Sequence, residues 1–203
     1  AARRGQRVTI VRPCPIYGEG DLRFLKLYRA VARGAFVMIG NGAPRLHLVH
    51  IDDLVDGILL CSTSEAALGE VFILGGPEAP TLNELVRHIA RALGVAEPRW
   101  RIPLWPVQAA GALCEWVCVP LRIEPPLHRR RVGFFTHHRE FDCSKAAQLL
   151  GYAPRVTPAE GIARTAEWYR ACGYLGPAAG RAAQASSRRD TVPQTGQHNP
   201  VTK

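Results

Sequence analysis

Lysine and methionine are scarce in this 203-residue chain: there is one methionine, and only Lys26, Lys145 and Lys203 stand among 26 basic residues. Positive charge rests on arginines scattered through every segment, so the formal excess of +9 forms no basic block of the kind that marks a nucleic-acid-binding arm. No nucleic-acid partner is expected. No C-x-x-C pair occurs among the cysteines at 14, 61, 114, 118, 143 and 172. That excludes the common zinc and dithiol motifs and reads as a set of reduced thiols in a cytoplasmic protein. An uninterrupted apolar run is also missing. Residues 102–121 are mostly apolar, but Pro103, Pro106, Pro120 and Glu115 confine any helix there to roughly 13 residues, short of a bilayer's thickness. Such a helix suits the wall of an apolar pocket; the weaker alternative, suggested by His128, Arg129, Arg130 and Arg131 just beyond it, is a membrane-facing surface. What the chain does have is 47% hydrophobic residues, enough at this length to bury a substantial core.

The opening A-A-R-R-G-Q-R reads as the last turn of a helix begun earlier. Residues 8–12 are a β-branched run, and Pro13, lacking an N–H, is expected to end its ladder. Asp21 is placed to cap a helix reaching about Arg33, with Leu22, Leu25 and Tyr28 at helical spacing. Strands are expected at 36–39, 46–51 and 70–74, the second delivering Asp52 and Asp53 to a helix that runs to about Ser62. Those two carboxylates could do acid/base work, but their place at a helix start makes capping the better reading.

Thr81 and Glu84 form a capping box ahead of the stripe Leu82, Leu85, Val86, Ile89 and Leu93, which Gly94 closes. A short strand at 139–141, a helix begun by Asp142, and a second box at Thr157 and Glu160, with Pro158 at the first helical position, complete the pattern. From Gly176 onward the composition predicts a disordered tail. Strands alternating with helices indicate an α/β architecture with parallel crossovers. His47 and His50 are separated by two strand residues and should face opposite ways, and His137 and His138 have no third ligand at useful spacing, so no metal site is expected.

Four blocks in order then point to a family. R-P-C-P-I-Y-G at 12–18, G-N-G-A-P-R-L-H-L-V-H-I-D-D-L at 40–54, D-C-S-K-A with L-G-Y-A-P at 142–154, and the helix carrying Glu160, Thr165, Trp168 and Tyr169 resemble the corresponding segments of extended short-chain dehydrogenases/reductases. These are the NAD-dependent epimerase/dehydratase group. The resemblance implies the C-terminal part of a Rossmann-type parallel sheet plus a smaller mixed α/β substrate-binding domain. Residues 1–75 would belong mainly to an incomplete NAD(P)-binding Rossmann domain, residues 76–175 mainly to the substrate-binding domain, and residues 176–203 to the tail.

By the same resemblance, Pro13, Cys14 and Ile16 would lie on the nicotinamide side of a bound NAD or NADP. Pro15 and Tyr17 would face a small-molecule substrate, and Arg45 could hold a substrate phosphate. The competing readings are a core-packed Tyr17 and a solvent-exposed turn arginine. Members that bind UDP-sugars often carry Asn where this chain has Pro15, which favours the branch resembling 3β-hydroxysteroid dehydrogenases and sterol or flavonol reductases.

Two features of that family have no counterpart here. No G-x-G-x-x-G or G-x-x-G-x-x-G turn introduces a strand–helix unit, and the residues four after Tyr17, Tyr28, Tyr152, Tyr169 and Tyr174 are Asp21, Ala32, Val156, Gly173 and Ala178, none of them the lysine of the family's catalytic pair. No catalytic residue is therefore assigned, and the Tyr/Lys pair is expected in a segment preceding Ala1. The expected function is NAD(P)-dependent oxidation, epimerisation or dehydration at a secondary alcohol or ketone of a sugar-nucleotide or sterol-like substrate. This chain would supply mainly the substrate side, be inactive alone and possess a homodimer surface. The alternative is a non-catalytic substrate-binding or interaction module.

Overall fold

The structure is a computed structural model and describes residues 8–107, 109 and 137–176. Its elements run β1 (Ile10–Pro13), β2 (Ile16–Tyr17), α1 (Leu25–Ala32), β3 (Met38–Ile39), β4 (Val49–His50), α2 (Ile51–Thr63), β5 (Val71–Leu74), α3 (Leu82–Leu93), β6 (Arg101–Ile102), α4 (Ser144–Leu150) and α5 (Pro158–Ala171). The strands form three parallel pairs, β1 with β5, β2 with β4 and β3 with β6. Parallel neighbours cannot be joined by a tight hairpin, so each pair encloses at least one crossover helix. This is the α/β architecture expected from the sequence.

β1 includes Pro13, which pairs with Leu74, and Cys14 continues the ladder by donating its N–H to the Leu74 carbonyl at 2.8 Å. The expectation that Pro13 stops the ladder is corrected by strand geometry. Ile10 and Cys14 both donate toward β5, and in a parallel pair such bonds come from alternate residues, so the position without an N–H faces the other side.

Residues 45 and 46 are held as isolated bridges, Arg45 to Thr81 and Leu46 to Arg139, and only Val49–His50 forms regular strand within the expected 46–51. The expected strand at 139–141 likewise reduces to that single bridge. Ile102 ends β6 and residues 104–107 are helical; most of the remaining 102–121 segment, together with the tail beyond Gly176, lies outside the described residues. No helix among the described residues is long and apolar enough to cross a membrane.

Helix ends follow local chemistry, with four departures, the first at α5, where Thr157 accepts from the Glu160 N–H but the Glu160 carboxylate does not complete the expected box. Thr81 and Glu84 make both bonds of a capping box, and Gly94 closes α3 in the left-handed conformation, as expected. α1 starts after Phe24, because Asp21 spends its carboxylate on the Arg23 N–H in a local turn. α2 is capped by the His50 ring, which accepts from the Asp52 N–H; neither Asp52 nor Asp53 caps it. α4 starts after Cys143, with Asp142 accepting from the Ser144 N–H.

Two buried clusters result. One gathers Tyr17, Tyr28, Met38, Leu46 and Leu48 with the apolar faces of α3 and α5. The other gathers Cys14, Val49, Leu54, Phe72 and Leu74 with Ala146 of α4 and Tyr152. The adjacent residues Ile16 and Tyr17 pack into different clusters, so β2 is where they meet.

Candidate functional site

The chain leaves the carboxyl end of β1 and crosses from β5 to β4. Cys14 is still bonded to Leu74, the Pro15 carbonyl accepts from the Val49 N–H at 3.1 Å, and Ile16 and Tyr17 pair with Val49 and His50. This crossing holds the segment rigidly while Pro13 and Pro15 stay exposed and Ile16 half-buried. An edge at the carboxyl end of parallel strands, with exposed groups on an anchored backbone, is where open α/β sheets take ligands.

Tyr17 is turned away from that edge. It is 5% exposed, and its ring meets the His50 ring edge-on at 5.3 Å between centroids. A Cβ at Gly161 would stand 2.5 Å from its hydroxyl, so only glycine lets α5 approach this closely. Within this chain Tyr17 is thus packed in the first core cluster. Burial and the nearby Asp53 and Glu160 carboxylates hold its phenol above the usual range. Arg45 is exposed, and its guanidinium donates to the Ala79 carbonyl at 2.9 Å, which ties the glycine-rich turn to the start of α3.

Asp53 is buried at 3% exposure and accepts the backbone N–H groups of Arg155 at 2.9 Å and Val156 at 3.1 Å. Its role is to fasten α2 to the segment leading into α5. Asp52 instead receives Arg164 at 2.7 Å, and Arg164 also holds Glu19 at 3.1 Å, tying α5 to the loop after β2. The His50 Nε2 lies 3.3 Å from Glu19 but out of hydrogen-bond alignment.

On the other side of the β1–β5 edge the fold assembles a group that spacing did not foreshadow. The ligand atoms of Cys14, His47 and Cys143 lie within 4.8 Å of one another. His47 is wedged between backbone groups, with Nε2 3.0 Å from the Gly76 carbonyl and Nδ1 3.1 Å from the carbonyl and 3.3 Å from the N–H of Phe141. An Nε2–H donating to Gly76 leaves Nδ1 to accept from Phe141, and both nitrogens are then used. Cys143 donates its own S–H toward the Phe141 carbonyl at 3.8 Å, and its pKa is pulled down to about 7 by hydrogen bonding with Cys14, by His47 and by the Gly75 backbone. The same pairing and burial push Cys14 far up. Tyr152 donates to the Gly75 carbonyl at 2.9 Å, fixing the glycine against which the Cys143 thiol rests.

Residues 1–75 match the NAD dependent epimerase/dehydratase family. A sterol-4-alpha-carboxylate 3-dehydrogenase (decarboxylating) of Saccharomyces cerevisiae is 30% identical over 78% of this chain and 48% of its own length. Over residues 1–75 the chain thus resembles the NAD dependent epimerase/dehydratase family. Among other similar proteins, the ceramide reductase of Caulobacter vibrioides is 29% identical over 82% of this chain and 52% of its own length.

The solved structure of gox2253 superposes with a TM-score of 0.67 at 26% identity, covering 82% of this chain and 50% of that one. The UDP-glucose 4-epimerase of Thermotoga maritima, solved with UDP-glucose, shares the fold with a TM-score of 0.59 at 22% identity, over 85% of this chain and 48% of that one. The chain thus spans about half the length of the relatives it matches. Within the family's fold, β1 and β5 are strands of a Rossmann-type sheet.

Proposed function

We propose that this chain forms the substrate-side portion of an NAD(P)-dependent enzyme of the epimerase/dehydratase family. The enzyme would act by hydride transfer at a secondary alcohol or ketone of a sterol-like or sugar-nucleotide substrate. The observation that carries this reading is the anchored segment 13–16, which presents exposed Pro13 and Pro15 at the carboxyl edge of parallel strands. The sterol dehydrogenase relative supports the first substrate class; the epimerase fold neighbour is compatible with the second.

Pro13, Cys14 and Ile16 would contact the nicotinamide end of NAD or NADP, and Pro15 the substrate. Arg45, on the turn after β3, is the residue of this chain whose planar fork suits a substrate phosphate. Residues 1–75 would form mainly the cofactor-domain part and residues 76–175 mainly the substrate-domain part. The described residues fit only one end of the cofactor. α2, α3 and α5 are capped by their own His50, Thr81 and Thr157, and no glycine-rich turn precedes them to hold a pyrophosphate. Bound there, the cofactor supplies the hydride; the residues named bind and orient.

Calorimetric titration of the 203-residue chain with NAD, NADP, a UDP-sugar and a 3β-hydroxysteroid tests the reading. Saturable binding of one substrate class is expected, with the dinucleotides weaker than about 1 mM. If the UDP-sugar binds, Arg45→Ala should weaken it about tenfold or more. Dinucleotide binding tighter than about 100 µM would refute the substrate-side assignment. Saturation by none of the four would favour a non-catalytic interaction module.

A further inference from the structure

The thiols at 14 and 143 face each other, and no step of hydride transfer calls for such a pair. We propose that Cys14 and Cys143 form a hydroperoxide-sensitive dithiol site, Cys143 being oxidised first and Cys14 closing a reversible disulfide onto it. This chemistry goes beyond the dehydrogenase reading and does not depend on it.

Exposure sets the order. Cys143 is half-buried at the start of α4, whereas Cys14 is 2% exposed beneath it. A reagent from solvent therefore meets Cys143 first, and Cys14 is reached only through it. Geometry supplies the closeness: the two sulfurs lie within 4.8 Å, against about 2.05 Å in a disulfide, so a change of rotamer at the helix start and a small loop shift suffice. Gly75 makes the approach possible, since a Cβ there would stand 2.9 Å from the Cys143 sulfur and 2.5 Å from the His47 Nε2. The neighbouring Cys14 thiol and Gly75 backbone lower the pKa of Cys143. They favour its thiolate, the form that attacks an oxidant. A metal is the weaker occupant, because using His47 as a ligand would strip a ring nitrogen from the Gly76 or Phe141 backbone.

The steps balance. The Cys143 thiolate attacks one oxygen of a hydroperoxide, forming S–O and breaking O–O; the departing alkoxide or hydroxide takes a proton from solvent. The Cys14 sulfur then attacks the Cys143 sulfur of the resulting sulfenic acid, forming S–S and breaking S–O, and its proton leaves with the hydroxyl as water. Two electrons pass from the thiol pair to the peroxide. The bridge would join the loop leaving β1 to the start of α4, and a dithiol reductant would open it.

The test is peroxide treatment of the 203-residue chain at neutral pH, followed by alkylation and peptide mapping. The expected product is one reducible cross-linked pair of peptides carrying Cys14 and Cys143, two hydrogens lighter than the free thiols. It should form about tenfold faster than oxidation of the exposed Cys172. Cys14→Ser should leave Cys143 as a sulfenic acid trapped by a cyclic dione, and Cys143→Ser should leave Cys14 reduced. The wild-type peptide map needs no variant, so it decides the matter even if either substituted chain misfolds. Oxidation of Cys172 with residues 14 and 143 untouched would overturn the proposal. So would stoichiometric zinc uptake that shields both thiols, which would assign the site to a metal.

Discussion

At the scale of single residues, neighbours decide what a side chain can do more than its own type does. Asp53 sits where a cap or a catalytic carboxylate would, yet both its oxygens are taken by the backbone of residues 155 and 156. Cys143 shows the converse, an ordinary thiol made acidic by what surrounds it. Its pKa of about 7 depends first on the Cys14 hydrogen bond. Its alkylation rate by iodoacetamide should therefore rise as pH climbs through about 7, because the thiolate is the reacting form. Cys14→Ala, which keeps a small apolar group but removes the donor, should move that midpoint upward. An unchanged midpoint would place the cause with His47 or the Gly75 N–H instead.

At the scale of elements, α3 shows how local chemistry alone can write a helix. Its box, apolar stripe and left-handed glycine stop are all contiguous in sequence. Thr81→Ala removes the acceptor for the Glu84 N–H and should cost about 1 kcal/mol in urea unfolding. The bonds from Thr81 to the Glu84 carboxylate hold its pKa below the usual value. A carboxylate depressed on folding adds stability above its unfolded pKa, and that addition fades as pH falls through the folded one. The gap between wild type and Thr81→Ala should accordingly shrink on acidification; a pH-independent gap would mean that Glu84 does not take part.

Elements of this kind were legible in the sequence because every signal they need lies within one or two turns. The four family blocks were legible for the same reason. What stayed hidden was long-range. Residues 14, 47 and 143 share no spacing, and they meet only because β1 runs parallel to β5 while Leu46 bridges to Arg139. The capture of Asp53 by residue 155 and the turning of Tyr17 toward Gly161 likewise depend on where α5 docks.

At the scale of the whole molecule, the question is whether the two buried clusters behave as one. Ile16 and Tyr17 are consecutive, yet the first packs with Val49, Phe72 and Leu74 and the second with Tyr28, Ile162 and Tyr169. α5 is bound to both sides, through Arg164 to Asp52 at the start of α2 and through its packed face to α3. A strand of two residues cannot stay formed on one side while its partner cluster melts, so the clusters should open together. Phe72 is fully buried in the β5 cluster, and Phe72→Leu should destabilise by about 1–2 kcal/mol. Native-state hydrogen exchange would then show protection lost equally from the amides of β5 and from those of Leu85 and Ile89 in α3, although Phe72 belongs to the other cluster. If α3 keeps its full protection while β5 loses it, the clusters are separate folding units and β2 is only a tether between them.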